Sequence, residues 1–222
     1  MYILTKLITL LALFIVGANN YAYCYSVDDK VMEYYLQYLD YKLSMQDNKT
    51  ASNGDTSIGY KTDEWITLSE LIKIGVKCSG LDGQLIQSVI WQESNGYFYC
   101  INNNVIKVSK CFKNKKEAIN FVVQQGNTNV DVGLMQVNYK IWSGIMGLSL
   151  NDLLDPKINV CAGSVILKHY LSQPSSWQWK GWRGVGYYNA GVNGDKDRQK
   201  RYAISVYKKY KFLHSKKQIQ KS

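Results

Sequence analysis

Histidine is scarce in this chain. Only His169 and His214 occur, too far apart for the His-Glu-x-x-His pattern that places two imidazoles on one helix face for zinc. The five cysteines stand at positions 24, 78, 100, 111 and 161, spacings that do not form a Cys/His metal cluster. There is no Gly-x-Ser-x-Gly elbow to present a nucleophilic serine and no phosphate-cradling glycine loop. No internal repeat is visible. The apolar run from Leu7 to Ala18 is short for a membrane span. Zinc-dependent, serine-nucleophile and nucleotide-binding chemistry therefore have no footing, and no cofactor or metal is implied.

The 222 residues suffice for one good-sized domain with extensions, or two small ones. With 46% hydrophobic and 20% charged residues the balance is that of a globular protein. Lys and Arg number 27 against 17 acids, a net charge of +10, which suits nucleic acid, anionic lipid or a carboxylate-rich wall polymer. Lys, Asn, Ile and Tyr are all abundant, so charge alone carries little weight.

The N-terminus has one cation, Lys6, before the apolar run, and small residues follow at Ala22 and Ser26. That is the layout of a secretory signal peptide over residues 1–24, with a permanent anchor as the competing reading. The expected location is outside the cytoplasm, in the periplasm or cell envelope. Export leaves Cys78, Cys100, Cys111 and Cys161, an even number for an oxidising compartment. Three pairings are open. Cys100 and Cys111 flank a short hairpin-like segment, which favours that pair and leaves Cys78 with Cys161; free buried thiols are the alternative.

Residues 25–64 read as an extension: a helix-compatible stretch over 27–43, then a Ser/Thr/Asn/Asp/Gly-rich linker. Apolar periodicity marks a domain over 65–212, and 213–222 read as a basic, disordered tail. Within the domain the pattern predicts helices over Leu68–Val76, from an Asp82 cap through Ser94 to a stop at Asn95-Gly96, and over Lys115–Gln125, closed by Gly126. Further helices are expected over Ile158–Leu171, Trp182–Ala190 and Arg201–Phe212. Tyr99 to Val108 predicts a hairpin turning at Asn102–Asn104, and NVDVGLMQV alternates like a short strand. The fold class is α+β, mainly α, with a small β element.

On the second helix Ile86, Val89 or Ile90, and Glu93 share one apolar face. Glu93 also lies in the last turn, where the helix dipole presents partial negative charge. Desolvation and dipole both disfavour the carboxylate, so its pKa should rise, as a general acid requires. Two motifs follow Glu93-Ser94 in order: VGLMQVN, Val132 to Asn138, and YYNAG, Tyr187 to Gly191.

With these three in place the chain resembles the lysozyme-like lytic transglycosylases, relatives of goose-type lysozymes that cleave peptidoglycan glycan strands. VDVGLMQVN followed by MGLSLNDLLDP is similar to their compact members attached to secretion, conjugation or pilus machinery. The resemblance covers roughly residues 65–212 and implies a goose-type lysozyme-like fold. It makes Glu93 the catalytic acid/base and Ser94 a residue that helps hold the site. Gly133, Leu134, Met135 and Gln136 would line the cleft, with Gln136 hydrogen-bonding sugar. Tyr188 and Asn189 would face the glutamate from the opposite wall, Gly191 would permit the turn behind them, and Tyr202 is a looser match to an aromatic on the C-terminal helix. Tyr187, where the family usually has a small residue, and NGYFYC, where it tends toward Phe-x-Pro, depart from the pattern and bear on cleft shape.

The implied reaction cleaves the β-1,4 bond between N-acetylmuramic acid and N-acetylglucosamine and forms 1,6-anhydromuramyl ends, with one carboxyl group acting as acid and then base. A lysozyme-type hydrolase would need a second carboxylate, for which Asp131 is the candidate; a local hydrogen-bonding role is the plainer reading of that residue. A non-enzymatic wall-binding assembly factor is the other alternative. Peptidoglycan is the expected partner, envelope-spanning secretion, conjugation or pilus components are further ones, and nucleic acid is not expected. Trp177 and Trp179 are candidates for stacking on sugar or for packing, and Trp182 reads as structural. Gly191 to Arg198 reads as a turn-rich surface loop.

Overall fold

The computed structural model describes residues 66–173 and 182–219. The expected signal segment, the 25–64 extension and Trp177 and Trp179 lie outside these residues. Helix α1 (Leu68–Ser79) starts on a Thr67/Glu70 capping box and ends at Gly80 in the left-handed region. Helix α2 (Gly83–Ser94) is capped by Asp82, whose carboxylate accepts from the Gln84 N–H at 3.1 Å, and ends on left-handed Asn95. Strands β1 (Tyr99–Asn103) and β2 (Val108–Phe112) follow, then α3 (Lys115–Gln125) with Gly126 at its end. Short strands β3 (Val130–Val132) and β4 (Val137–Asn138) complete an antiparallel sheet of order β2-β1-β3-β4.

The remaining elements are α4 (Tyr139–Met146), α5 (Leu150–Leu153), α6 (Pro156–Ser172), α7 (Arg183–Ala190) and α8 (Lys196–Ile219). This is the expected α+β, mainly α architecture. Helix α6 is the central element: nine successive residues, Asn159 to Leu167, are buried. Helix α1 packs along it closely enough that a Cβ on Gly75 would lie 2.6 Å from Ser164 Oγ. The Cys78–Cys161 disulfide joins the same two helices, and Cys100–Cys111 joins β1 to β2. Both are the pairs favoured from the sequence.

Four local expectations are corrected. The hairpin turns at residues 104–107, two positions later than expected, with Asn102 and Asn103 paired in β1. Asn103 still organises the turn, because its Oδ1 accepts from the N–H groups of Val105 and Ile106. Helices α4 and α5, not anticipated, are short and rely on their caps, Asn138 and Ser149. Helix α8 begins at Lys196, so the end of the supposed surface loop is helical. It also continues to Ile219 through what read as a disordered tail. Lys and Gln, which fill that tail, are good helix formers once a helix is already running into them.

Candidate active site

Glu93 stands in the last turn of α2 because that helix buries Ile86, Val89 and Ile90 completely on the same side. The carboxyl group is reachable from a cleft of about 360 Å³, yet protein surrounds it closely. Trp91, Gln92, Tyr97, Lys110 and Gln136 are among the residues that line this cleft. Burial raises the pKa of Glu93 to about 7; a hydrogen bond from Tyr202 opposes the rise, the charge of Asp131 adds to it, and Arg198 draws it down. Near neutrality the group is therefore divided between acid and base forms.

Tyr202, the loosest of the sequence matches, is the residue that touches the acid: its hydroxyl donates to Glu93 Oε1. It lies on α8 and is only 7% exposed. Tyr188, on α7, donates its hydroxyl to the Met135 carbonyl at 2.7 Å. Burial first, and then the charge of Glu93, hold both phenols well above their ordinary pKa, so both remain donors.

The Gly133–Gln136 turn is tied into place from three directions. Ser94 Oγ donates to the Leu134 carbonyl at 2.8 Å, which joins the turn to the residue beside the acid. Tyr188 holds the Met135 carbonyl, and Asn159 Oδ1 accepts from the Met135 N–H at 2.8 Å. Gly133 has a φ of 79°, and a Cβ there would lie 2.3 Å from Asn159 Nδ2. Glycine is thus required both for the backbone and for the approach of Asn159. Gly191, at φ 72°, turns the chain after YYNAG as expected.

Met135 is among the residues expected to line the cleft and bind substrate. Met135 is 0% exposed, and its side chain fills the space beside Gly163 and Ser164 in the core. Its contribution to the site is through its backbone. Gln136 lines the cleft, but its Nε2 donates to the carbonyls of Cys100 at 3.0 Å and Gly133 at 2.8 Å. Asn189 is engaged with Arg198, whose Nε donates to its Oδ1 at 2.8 Å. Trp182 precedes α7 and packs edge-on against Tyr207 and Tyr210, the structural part foreseen for it.

Asp131 is enclosed by amides. Its Oδ2 accepts from Asn102 and Asn104, each at 2.9 Å, and its Oδ1 from Asn138 at 2.7 Å. This is the local hydrogen-bonding role.

Two residues of the site were not singled out in the sequence. Asn159 makes three side-chain hydrogen bonds, to Met135, Val132 and Leu153. A polar residue opening the apolar run NVCAGSVIL was the available signal for it. Arg198 left no such signal, since only the packing of α8 against α7 brings it to Asn189.

A family model described as a transglycosylase SLT domain matches residues 70–211. That interval contains Glu93, the Gly133–Gln136 turn, YYNAG and Tyr202. No curated protein matches the chain.

Proposed function

The chain belongs to the transglycosylase SLT domain family, whose members are peptidoglycan lytic transglycosylases, and on that premise we propose that Glu93 alone supplies acid and base for the reaction. The observation that carries this reading is a single carboxyl group at a cleft floor, held near pKa 7 by burial and touched by the Tyr202 hydroxyl. In its neutral form Glu93 gives its proton to the glycosidic oxygen between N-acetylmuramic acid and N-acetylglucosamine. The bond to the muramyl anomeric carbon breaks with oxocarbenium character at that carbon. Glu93, now a carboxylate, takes the proton of the same sugar's C6 hydroxyl. The C6 oxygen then bonds to the anomeric carbon, which closes a 1,6-anhydro ring and returns Glu93 to its starting form. No water is consumed.

Tyr202 supports this cycle because one donor to Oε1 stabilises the carboxylate formed midway without keeping it ionised beforehand. The three ties on the Gly133–Gln136 turn support a preorganised wall beside the acid. Asp131 has both oxygens engaged by side-chain amides, which does not favour it as a hydrolytic base.

The test is digestion of purified sacculi by the mature protein, with Glu93→Gln in parallel and mass spectrometry of the products. Anhydromuramyl ends that vanish in the variant are the expected result. Reducing ends, or products that persist in Glu93→Gln, would overturn the reading.

The finer role we propose is local opening of the wall for a secretion, conjugation or pilus apparatus by an exported enzyme. The resemblance of VDVGLMQVN and MGLSLNDLLDP to machine-associated members supports it, as does a signal-like N-terminus. Residues 27–64 and the basic C-terminal end are the segments such a partner would hold. In-cell crosslinking from these segments should recover an envelope component, and recovery of none would count against the role.

A further inference from the structure

Next to Trp91 and Gln92, two residues that line the cleft, lies a cation that the reaction does not use. Lys209 Nζ sits 2.8 Å from Gln92 Oε1 and 3.4 Å from Ser205 Oγ, and 5.6 Å from the centre of the Trp91 ring. Gln92 Oε1 also accepts from Ser205 at 2.6 Å, so the acceptor is itself fixed. Both Trp91 and Gln92 line the cleft that contains Glu93.

Most lysines of α8 are exposed, but Lys209 is partly buried. Its two hydrogen-bond partners are neutral, and among the described residues no carboxylate forms an ion pair with it. An ammonium group has three donors. Two are used among the described residues, none of which sets a counter-charge on this cation, and its positive charge lies against an aromatic face. A cation held in place beside cleft-lining residues, with no counter-charge among the described residues, is arranged for an anion brought by the ligand.

We propose that Lys209 receives a carboxylate of the peptide stem carried by muramic acid, which makes the enzyme selective for peptide-bearing over bare glycan. This rests on the transglycosylase reading, which supplies the glycan in the cleft. Sugar hydroxyls are met equally well by neutral donors; the carboxylates of the stem are the groups on this polymer that require a charge. Lys209 thereby sets specificity and takes no part in proton transfer.

The experiment measures binding in a Glu93→Gln background, by co-sedimentation with intact sacculi and with bare glycan, stripped of stems by an amidase and then treated with carbodiimide and ammonia so that the lactyl carboxylates freed by the amidase become neutral amides. Lys209→Gln should weaken binding to peptide-bearing strands about fivefold, the value of one partly screened ion pair. It should narrow the preference for them over bare strands, and Lys209→Arg should restore it. In the active enzyme the same substitution should lower the ratio of kcat/KM on peptide-bearing to bare strands by a similar factor. An equal loss on both polymers would reduce Lys209 to a general electrostatic or structural contact, and unchanged binding would remove it altogether. Should the wild type yield no anhydro products, the transglycosylase reading would fall, while co-sedimentation would still decide whether Lys209 reads the stem.

Discussion

Glu93 and Asp131 carry the same functional group, close enough that the charge of Asp131 pushes up the pKa of Glu93. Their surroundings differ in kind. Glu93 projects from the end of a helix whose Ile86, Val89 and Ile90 are buried, and it accepts a hydrogen bond from the Tyr202 hydroxyl. Asp131 projects from a small sheet rich in asparagine and accepts three side-chain amides. The helical side has made a carboxyl group that exchanges a proton near neutrality; the sheet side has made one that organises a loop. Residue type alone does not separate the two; burial, which raises the pKa of Glu93, and the three amides that hold Asp131 in a loop do.

The first way to break this contrast is to remove the exchangeable proton. Glu93→Gln keeps shape and loses acid–base capacity, so the turnover rate on sacculi should fall by about 10²- to 10⁴-fold or more. Retention of activity within a few-fold would end the single-acid account. Next in size is the frame that holds the helical side. Bridges with sequence separations of 83 and 11 residues limit the unfolded chain by about 4.6 and about 2.8 kcal/mol in the loop-entropy picture. Replacing Cys78 and Cys161 by Ala should therefore lower denaturant stability more than replacing Cys100 and Cys111, and the reverse order would contradict it.

Asp131→Asn sharpens the contrast from the other side. It sets an amide donor against one or more of the three asparagine donors, at a cost of about 1 to 3 kcal/mol in unfolding free energy. Activity measured below the melting transition should stay within about tenfold, as for a supporting residue. A loss equal to that of Glu93→Gln would instead make Asp131 a second catalytic carboxylate.

The smallest effects concern pH. Because the first step needs neutral Glu93, kcat/KM should be level at acidic pH and decline as pH rises through about 7. The Tyr202 hydrogen bond lowers the pKa of Glu93, so Tyr202→Phe should carry that decline to higher pH. Arg198→Gln should move it the same way by less, since Arg198 is exposed and its charge is screened. A shift toward lower pH in either variant would mean that the descending limb belongs to another group.

Much of the helical side was legible in the sequence. Asp82, Asn95 and Gly126 announce their helix ends through local chemistry, and the spacing of Ile86, Ile90 and Glu93 shows which face is buried. The sheet side was harder to read. Asn102, Asn103 and Asn104 are equally suited to a turn, and pairing with β2 and β3 decides that the first two belong to a strand. Met135 sits in a motif associated with the cleft, yet the close approach of Gly163 draws its side chain into the core. The engagement of Asn189 by Arg198, and of the Met135 N–H by Asn159, joins residues 9 and 24 positions apart. Such pairs have no local pattern to betray them.

The most direct test is digestion of sacculi in water enriched in oxygen-18, followed by mass spectrometry of the muramyl ends. If Glu93 serves as acid and then base for the sugar's own C6 hydroxyl, the products will be 1,6-anhydro ends without heavy oxygen. Reducing ends carrying one oxygen-18 would show that water attacks the anomeric carbon, and would contradict the single-carboxyl account.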